Sequence, residues 1–352
     1  MIAELAVHRQ PIVDALRALD RDLGEELAGV NHWGEDLRVR MLEFAQRGKL
    51  IRGSLVAASA AAFGRPADRA VYTVAAAVEL VQSFLLIHDD VMDEDPVRRG
   101  VPAVFEQYRE FGSEHGFRHG QRFGESMAIC AGDVAILVVF AAIGSVDIEE
   151  AARARLVSLI AREIAKVGVA QMADVANGHN PAPATEEEII SVYRFKTGRY
   201  TFSLPLMLGA ILAGTDATVV DALCRWGDLQ GVVFQIRDDQ LGIMGDTEQT
   251  GKPVGSDIMA NKQTLHRLML FEAIAGTAWE DVRACFGRDR LSIEEVRRVR
   301  RAFEETGTIG LLDRRIARLR SDAARELSGI ELGDAPRLLL DAIDAYNAAR
   351  EV

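Results

Sequence analysis

Two short acidic runs carry the residues best suited to chemistry. "HDDVMDED" (88–95) contains Asp89, Asp90, Asp93, Glu94 and Asp95, and "RDDQLGIMGD" (237–246) contains Asp238, Asp239 and Asp246. Asp89 and Asp93 are four residues apart, so on a helix they share a face one turn apart. Carboxylates at that spacing repel unless a cation lies between them. Hard oxygen ligands with room for water suit magnesium, which binds through a few carboxylates plus the phosphate oxygens of a substrate. Taken alone, the first run reads equally as a solvated helix end. The second run shifts that balance, because it too closes a largely apolar helical stretch, with Gln235 about one turn before it. If the two helices were neighbours with their ends aligned, the runs would face each other and hold two or three ions around a polyphosphate.

Anions also need cations. Lys49 and Arg52 in "RGKLIRG" are three apart at a predicted helix start, and Arg98-Arg99 follow the first acidic run. "RFKTGRY" offers Lys196, Thr197 and Arg199, "TGKPVGSD" offers Lys252, and "ANKQT" offers Lys262. Singly, each reads as an ordinary surface base. Grouped with glycines and with the acidic runs, they point to phosphate contacts, arginine as a planar fork and lysine as a point charge.

The elements that must position these groups are helical. Residues 70–87 are apolar almost all round and predict a buried central helix, and 125–143 and 203–241 carry similar patterns. Strand signals are weak. Gly and Pro gather at 63–68, 95–102, 177–188 and 245–257, and Thr185 with Glu188 forms a capping-box pattern. The Gly-rich stretch 110–125 reads as a surface connection. With 352 residues, no repeat and no clear linker, the expectation is one all-α domain spanning 1–352. A net charge of -12 argues against nonspecific nucleic-acid binding. Three cysteines without a CxxC pair suggest neither a disulfide framework nor a zinc site, which fits a reducing cytoplasm. The N-terminus lacks a signal peptide's continuous apolar core. No uninterrupted apolar run reaches the roughly 18 residues of a membrane span, so none is expected.

Those motifs, in this order, resemble the trans-type isoprenyl diphosphate synthases (polyprenyl synthetases). The resemblance runs from "RGKLIRG" through "VELVQSFLLIHDDVMDEDPVRRG", "AGDVAIL", "VAQMADV", "FKTG" and "FQIRDDQLGIMGD" to "DIMANKQT", well over half the chain. It implies an all-α bundle of roughly ten or more helices around a central apolar cavity. It also implies a cytoplasmic homodimer using magnesium, two or three ions per site, with manganese as an alternative. Asp89 and Asp93 match the metal ligands of the first aspartate-rich motif, supported by Asp90. Asp238 matches the ligand of the second, beside Asp239. Lys49, Arg52, Gln82 and Arg99 match the isopentenyl diphosphate pocket. Arg98, Lys196, Thr197, Gln235, Lys252 and Lys262 match contacts to the allylic diphosphate (dimethylallyl, geranyl or farnesyl) or its metal cluster. Gln171 and Asp174 match a "QxxD" element near the metal. Asp89, Asp90, Asp93, Arg98, Lys196, Asp238 and Asp239 are thus the expected catalytic set.

The sequence departs from the family's pattern at four places. Leu50 and Gly53 replace an arginine and a proline in the first basic motif, Gln82 replaces a frequent histidine, and Gly242 replaces the third acid of the second motif. The expected reaction is head-to-tail condensation, in which isopentenyl diphosphate attacks the allylic cation left by departing diphosphate. Phe84 and Leu85 precede Asp89 by five and four residues, about 7.5 and 6 Å along a helix, where bulk would form a floor for the growing chain. A single aromatic there resembles members making geranylgeranyl diphosphate, with farnesyl or longer products as alternatives. A class I terpene cyclase or a non-catalytic subunit of a heteromeric synthase are the rival readings.

Overall fold

The computed structural model describes residues 5–180, 182–245 and 255–349; Asp246 and Lys252 lie outside the described residues. Among the described residues are fifteen α-helices, one π-helical segment, one 3-10 turn and one small hairpin, so the all-α expectation holds. They divide into two compact units, one within Met1–Ile160 and Pro205–Asp216, the other within Ala161–Leu204 and Ala217–Val352. The first two of these divisions fall inside helices, which is why no linker composition announced them.

The first unit contains α1 (Arg9–Ala28), α2 (His32–Gln46), α3 (Ile51–Ala62), α4 (Arg69–Met92), a hairpin of β1 (Val97–Arg98) and β2 (Val101–Pro102), α5 (Val104–Glu114) and α6 (Gly120–Gly144). It also holds the start of α7 (Glu150–His179) and most of α9 (Leu204–Leu212). The core helix is α4, packed against α1, α3 and α6. Asp68 starts it, its carboxylate accepting the Val71 N–H at 2.9 Å, an ordinary N-cap. Every residue from Val74 to Ser83 is buried, and Phe84, Leu85 and Leu86 are then only half-buried. At roughly 0.8 kcal/mol per buried methylene, this apolar helix supplies much of the unit's stabilisation. The connection expected over 110–125 shrinks to the residues between Glu114 and Gly120, because α5 and α6 continue into its flanks.

One expectation needs correcting. Both α4 and α6 are long and apolar enough, by length and composition, to cross a membrane. Counting uninterrupted apolar residues missed them, because isolated polar residues such as Glu79 and Asp133 break the run without outweighing it. For α4 the burial of Val74–Ser83 within the unit accounts for the composition.

The second unit contains the rest of α7, α8 (Glu186–Val192), a π-helix (Tyr193–Ser203), α10 (Ala217–Met244), α11 (Ser256–Met259), α12 (Leu265–Ile274), α13 (Ile293–Glu305), α14 (Thr308–Glu326) and α15 (Asp334–Ala348). Thr185 and Glu188 form the expected capping box at the start of α8. The apolar pattern over 203–241 is two helices, broken between Leu212 and Ala217. The π-helix lies directly on α10, and Gly198 meets Gly231 so closely that a Cβ on Gly231 would lie 2.1 Å from the Gly198 Cα. Ile189, Tyr193, Val232, Val233, Ile236 and Leu265 form the core beneath them.

Candidate active site

At the end of α4 the aspartates separate by direction. Asp89 is half-buried and Asp93, at the C-cap, is exposed. Asp90 turns inward, its residue 0% exposed, and accepts from Arg98 Nε at 2.5 Å. Burial pushes the Asp90 carboxyl up to about 6, against the pull of the Arg98 hydrogen bond and charge. Burial works against the Arg98 charge too, but Asp90 outweighs it and holds the guanidinium above its usual value. The same guanidinium lies 3.5 Å from Asp95 and 3.9 Å from Asp89. Asp90 is therefore the anchor of Arg98, and Asp89 and Asp93 are the more exposed of the three.

Arg98 and Arg99 diverge because the chain reverses between them. Arg99 and Gly100 both have positive φ (55° and 75°), the backbone of a two-residue hairpin turn. Arg99 reaches back to α2, donating to the Phe44 carbonyl at 3.3 Å with its guanidinium 5.7 Å from the Phe44 ring centre. It also lies over Gly48, where a Cβ would stand 3.0 Å from two guanidinium nitrogens. This brings Arg99 beside the 48–53 turn. Lys49 is exposed there and lies before α3 rather than on it, a correction to the predicted helix start. Between Lys49 and the helix, Leu50 takes the left-handed backbone (φ 52°), at a cost of about 1–2 kcal/mol.

Beneath these cations lies Glu79, 4% exposed, which was not singled out from the sequence. A lone acid in the otherwise apolar "AAAVELV" was the available signal. Gln82, one turn on, is also buried, with Oε1 lacking a hydrogen-bond partner. Burial lowers the Arg99 guanidinium from its usual value, and the Arg52 and Arg98 charges act the same way against the favourable Glu79 carboxylate. The result is a cluster of the Arg52, Arg98 and Arg99 charges around one buried acid.

Phe84 turns its ring edge-on to His88, centroids 4.9 Å apart. His88 in turn seats over Gly132, where a Cβ would meet its Nε2 at 2.2 Å, and hydrogen-bonds the Ile129 carbonyl at 3.0 Å. On an ideal helix Leu85 lies about 40° from Asp89 and Phe84 about 140°.

In the second unit Asp238 is exposed and Asp239 buried on α10. Asp239 accepts from the Tyr193 hydroxyl and from Gln235 Nε2 at 2.8 Å. Burial pushes Asp239 up to about 7, with the Asp257 charge adding to the rise and the two hydrogen bonds opposing it. Gln235 thus spends its amide on Asp239. Asp257 leans over Gly242, where a Cβ would lie 2.1 Å from its Oδ2. A carboxylate from α11 thus occupies the space beside Gly242. Lys262 Nζ pairs with Asp257 Oδ1 at 3.0 Å. Lys196, on the π-helix, donates to Asp174 Oδ2 at 2.6 Å, so the "QxxD" aspartate and the lysine meet. Thr197 follows it, half-buried. Arg199 does not join a phosphate site: it bonds Glu163 and Asp228 at 2.5 and 2.9 Å, tying the π-helix to α7 and α10. Tyr193 and Asp257 are further site neighbours that carried no sequence expectation.

The donors in each unit are of the kind magnesium takes: half-buried Asp89 and exposed Asp93 in the first, exposed Asp238 and the Asp257 carboxylate over Gly242 in the second are all hard oxygen groups. The all-α architecture is that of the isoprenoid synthase fold. The sequence pattern of polyprenyl synthetase matches residues 38–304, and the chain belongs to that family. It is 31% identical to geranylgeranyl diphosphate synthase of Methanosarcina mazei, over 74% of each chain. It is 36% identical to farnesyl diphosphate synthase of Geobacillus stearothermophilus, over 63% of this chain and 71% of that one. A crystal structure of geranylgeranyl pyrophosphate synthase from Corynebacterium glutamicum, complexed with isoprenyl diphosphate and magnesium, superposes with a TM-score of 0.88 at 28% identity, covering 99% of both chains.

Proposed function

We propose that this chain is a prenyltransferase condensing isopentenyl diphosphate with allylic diphosphates, head to tail, to geranylgeranyl diphosphate. The observation that supports it is Arg99 lying over Gly48, beside the turn that carries Lys49 and Arg52 and that Glu79 bonds at Gly53, which we read as a diphosphate pocket. A cyclase, which takes one diphosphate substrate, has no use for that pocket. Asp89 and Asp93 in one unit and Asp238 in the other would hold magnesium, two or three ions, with manganese able to substitute. Such a metal would supply positive charge against the charge developing on the leaving diphosphate.

The chain's own residues do the rest. Arg98, held by Asp90, together with Lys196 and Lys262, adds fixed positive charge where the leaving group turns negative. Lys49, Arg52, Gln82 and Arg99 hold isopentenyl diphosphate so that, once the allylic C–O bond has broken, its double bond attacks the allylic cation and forms the new C–C bond. The apolar side chains of α4 keep water from the cation. The proton then leaves to the departing diphosphate, since no described side chain is placed as an obvious base. Phe84 and Leu85, where α4 first opens from full burial, form the floor that limits the product. We assign the whole chain to one catalytic domain and expect a cytoplasmic homodimer; exposed Ile129 and Leu137 on α6 support an apolar interface.

Diphosphate release with single substrates tests this reading. Release that requires both an allylic diphosphate and isopentenyl diphosphate is expected. Cyclic hydrocarbon from geranylgeranyl diphosphate alone would establish the cyclase, and turnover only with an added partner would establish the non-catalytic subunit.

A further inference from the structure

Helix α3 starts without a cap of its own. Leu50, at the N-cap position, offers no side-chain hydrogen bond, and the first N–H groups of a helix have no partner inside it. The partner comes from α4. The Glu79 carboxylate accepts the Gly53 N–H at 2.7 Å and also the Arg52 N–H. Burial raises the Glu79 pKa, and these N–H groups with the Arg52 and Arg99 charges oppose that rise. A buried carboxylate at this point satisfies orphan donors, sits at the positive end of the helix dipole, and attracts the Arg52 and Arg99 charges that repel each other.

We propose that Glu79 is a positioning residue for the isopentenyl diphosphate pocket: it caps α3 from α4 and keeps Arg52 and Arg99 together in one site. This rests on the reading that Lys49, Arg52 and Arg99 bind that substrate. It explains the departure at Gly53. A proline has no N–H for Glu79, and even a Cβ there would stand 2.7 Å from the Ala75 carbonyl oxygen. It also leaves the α3 N-terminus committed to Glu79, so the substrate's phosphates fall to side chains.

The test is steady-state kinetics of Glu79→Gln and Arg99→Ala, with magnesium and farnesyl diphosphate as co-substrate. Both variants should raise the KM for isopentenyl diphosphate by about tenfold, and a positioning role predicts that Glu79→Gln does so with kcat and the KM for farnesyl diphosphate within about twofold. If Arg99→Ala raises that KM and Glu79→Gln does not, the positioning role is overturned and the pocket stands. If neither raises it, the pocket assignment itself fails, and the proposal with it. Should Glu79→Gln not fold, amide exchange in the unsubstituted protein decides. The Arg52 and Gly53 amides should be protected as strongly as that of Ser54, which bonds the Leu50 carbonyl at 3.0 Å. Exchange at the rate of an uncapped helix end would overturn the proposal.

Discussion

Gly53 and Gly242 stand where the family's pattern has a proline and an acid, and each lies against a carboxylate reaching in from another helix. Restoring the acid should therefore do harm. Gly242→Asp puts new atoms within 2.1 Å of Asp257 Oδ2, and overpacking of this kind costs about 1–3 kcal/mol. We expect a lower Tm and a higher magnesium concentration at half-maximal activity, partly recovered by adding Asp257→Gly. Tighter magnesium dependence in the single variant would show that Asp257 does not serve as the third acid. A second residue-scale prediction concerns His266, fully buried with both ring nitrogens lacking partners. Burial, aided by the Arg237 charge, drops its pKa from 6.5 to about 3. Because the unfolded chain binds that proton more readily, its contribution is intact above about pH 6.5 and is lost as pH falls toward 3. His266→Leu should flatten the fall of Tm between pH 6.5 and 4, as thermal melts would show; an unchanged slope would contradict it. At this scale type and spacing pointed to the aspartates and basic residues as candidates. Glu79, Tyr193 and Asp257 were not, because their roles come from contacts between helices distant in sequence.

Helix α4 was the most legible element, since its all-round apolar run signalled a buried helix; its start shifted by one residue and its end ran on to Met92. The capping box at Thr185 was equally plain. The π-helix and the Arg99-Gly100 turn were not, because neither follows from a hydrophobic period: one depends on Gly198 meeting Gly231, the other on left-handed backbone at a non-glycine residue. The proposed limit on product length belongs to this scale, at Phe84, where the full burial of α4 ends. Phe84→Ala should lengthen the products beyond twenty carbons by radio-thin-layer analysis, and Gly132→Ala should act in the same direction by unseating His88 from behind the ring. Unchanged chain length in Phe84→Ala would remove Phe84 from the floor and leave Leu85, nearer the Asp89 face, as the candidate.

For the whole molecule, the ordered motifs were enough to reach family and fold, because metal and diphosphate chemistry demands particular residue types at particular spacings. The division into two compact units was hidden, since it cuts through α7 and the start of α9 rather than through a linker. The central claim is chain elongation ending at geranylgeranyl diphosphate. Its most direct test is product analysis of the purified protein with magnesium, isopentenyl diphosphate and, in turn, dimethylallyl, geranyl and farnesyl diphosphate. A common twenty-carbon product from every accepted starter is the expected result. A fifteen-carbon end point, or no isopentenyl diphosphate incorporated with any starter, would contradict it.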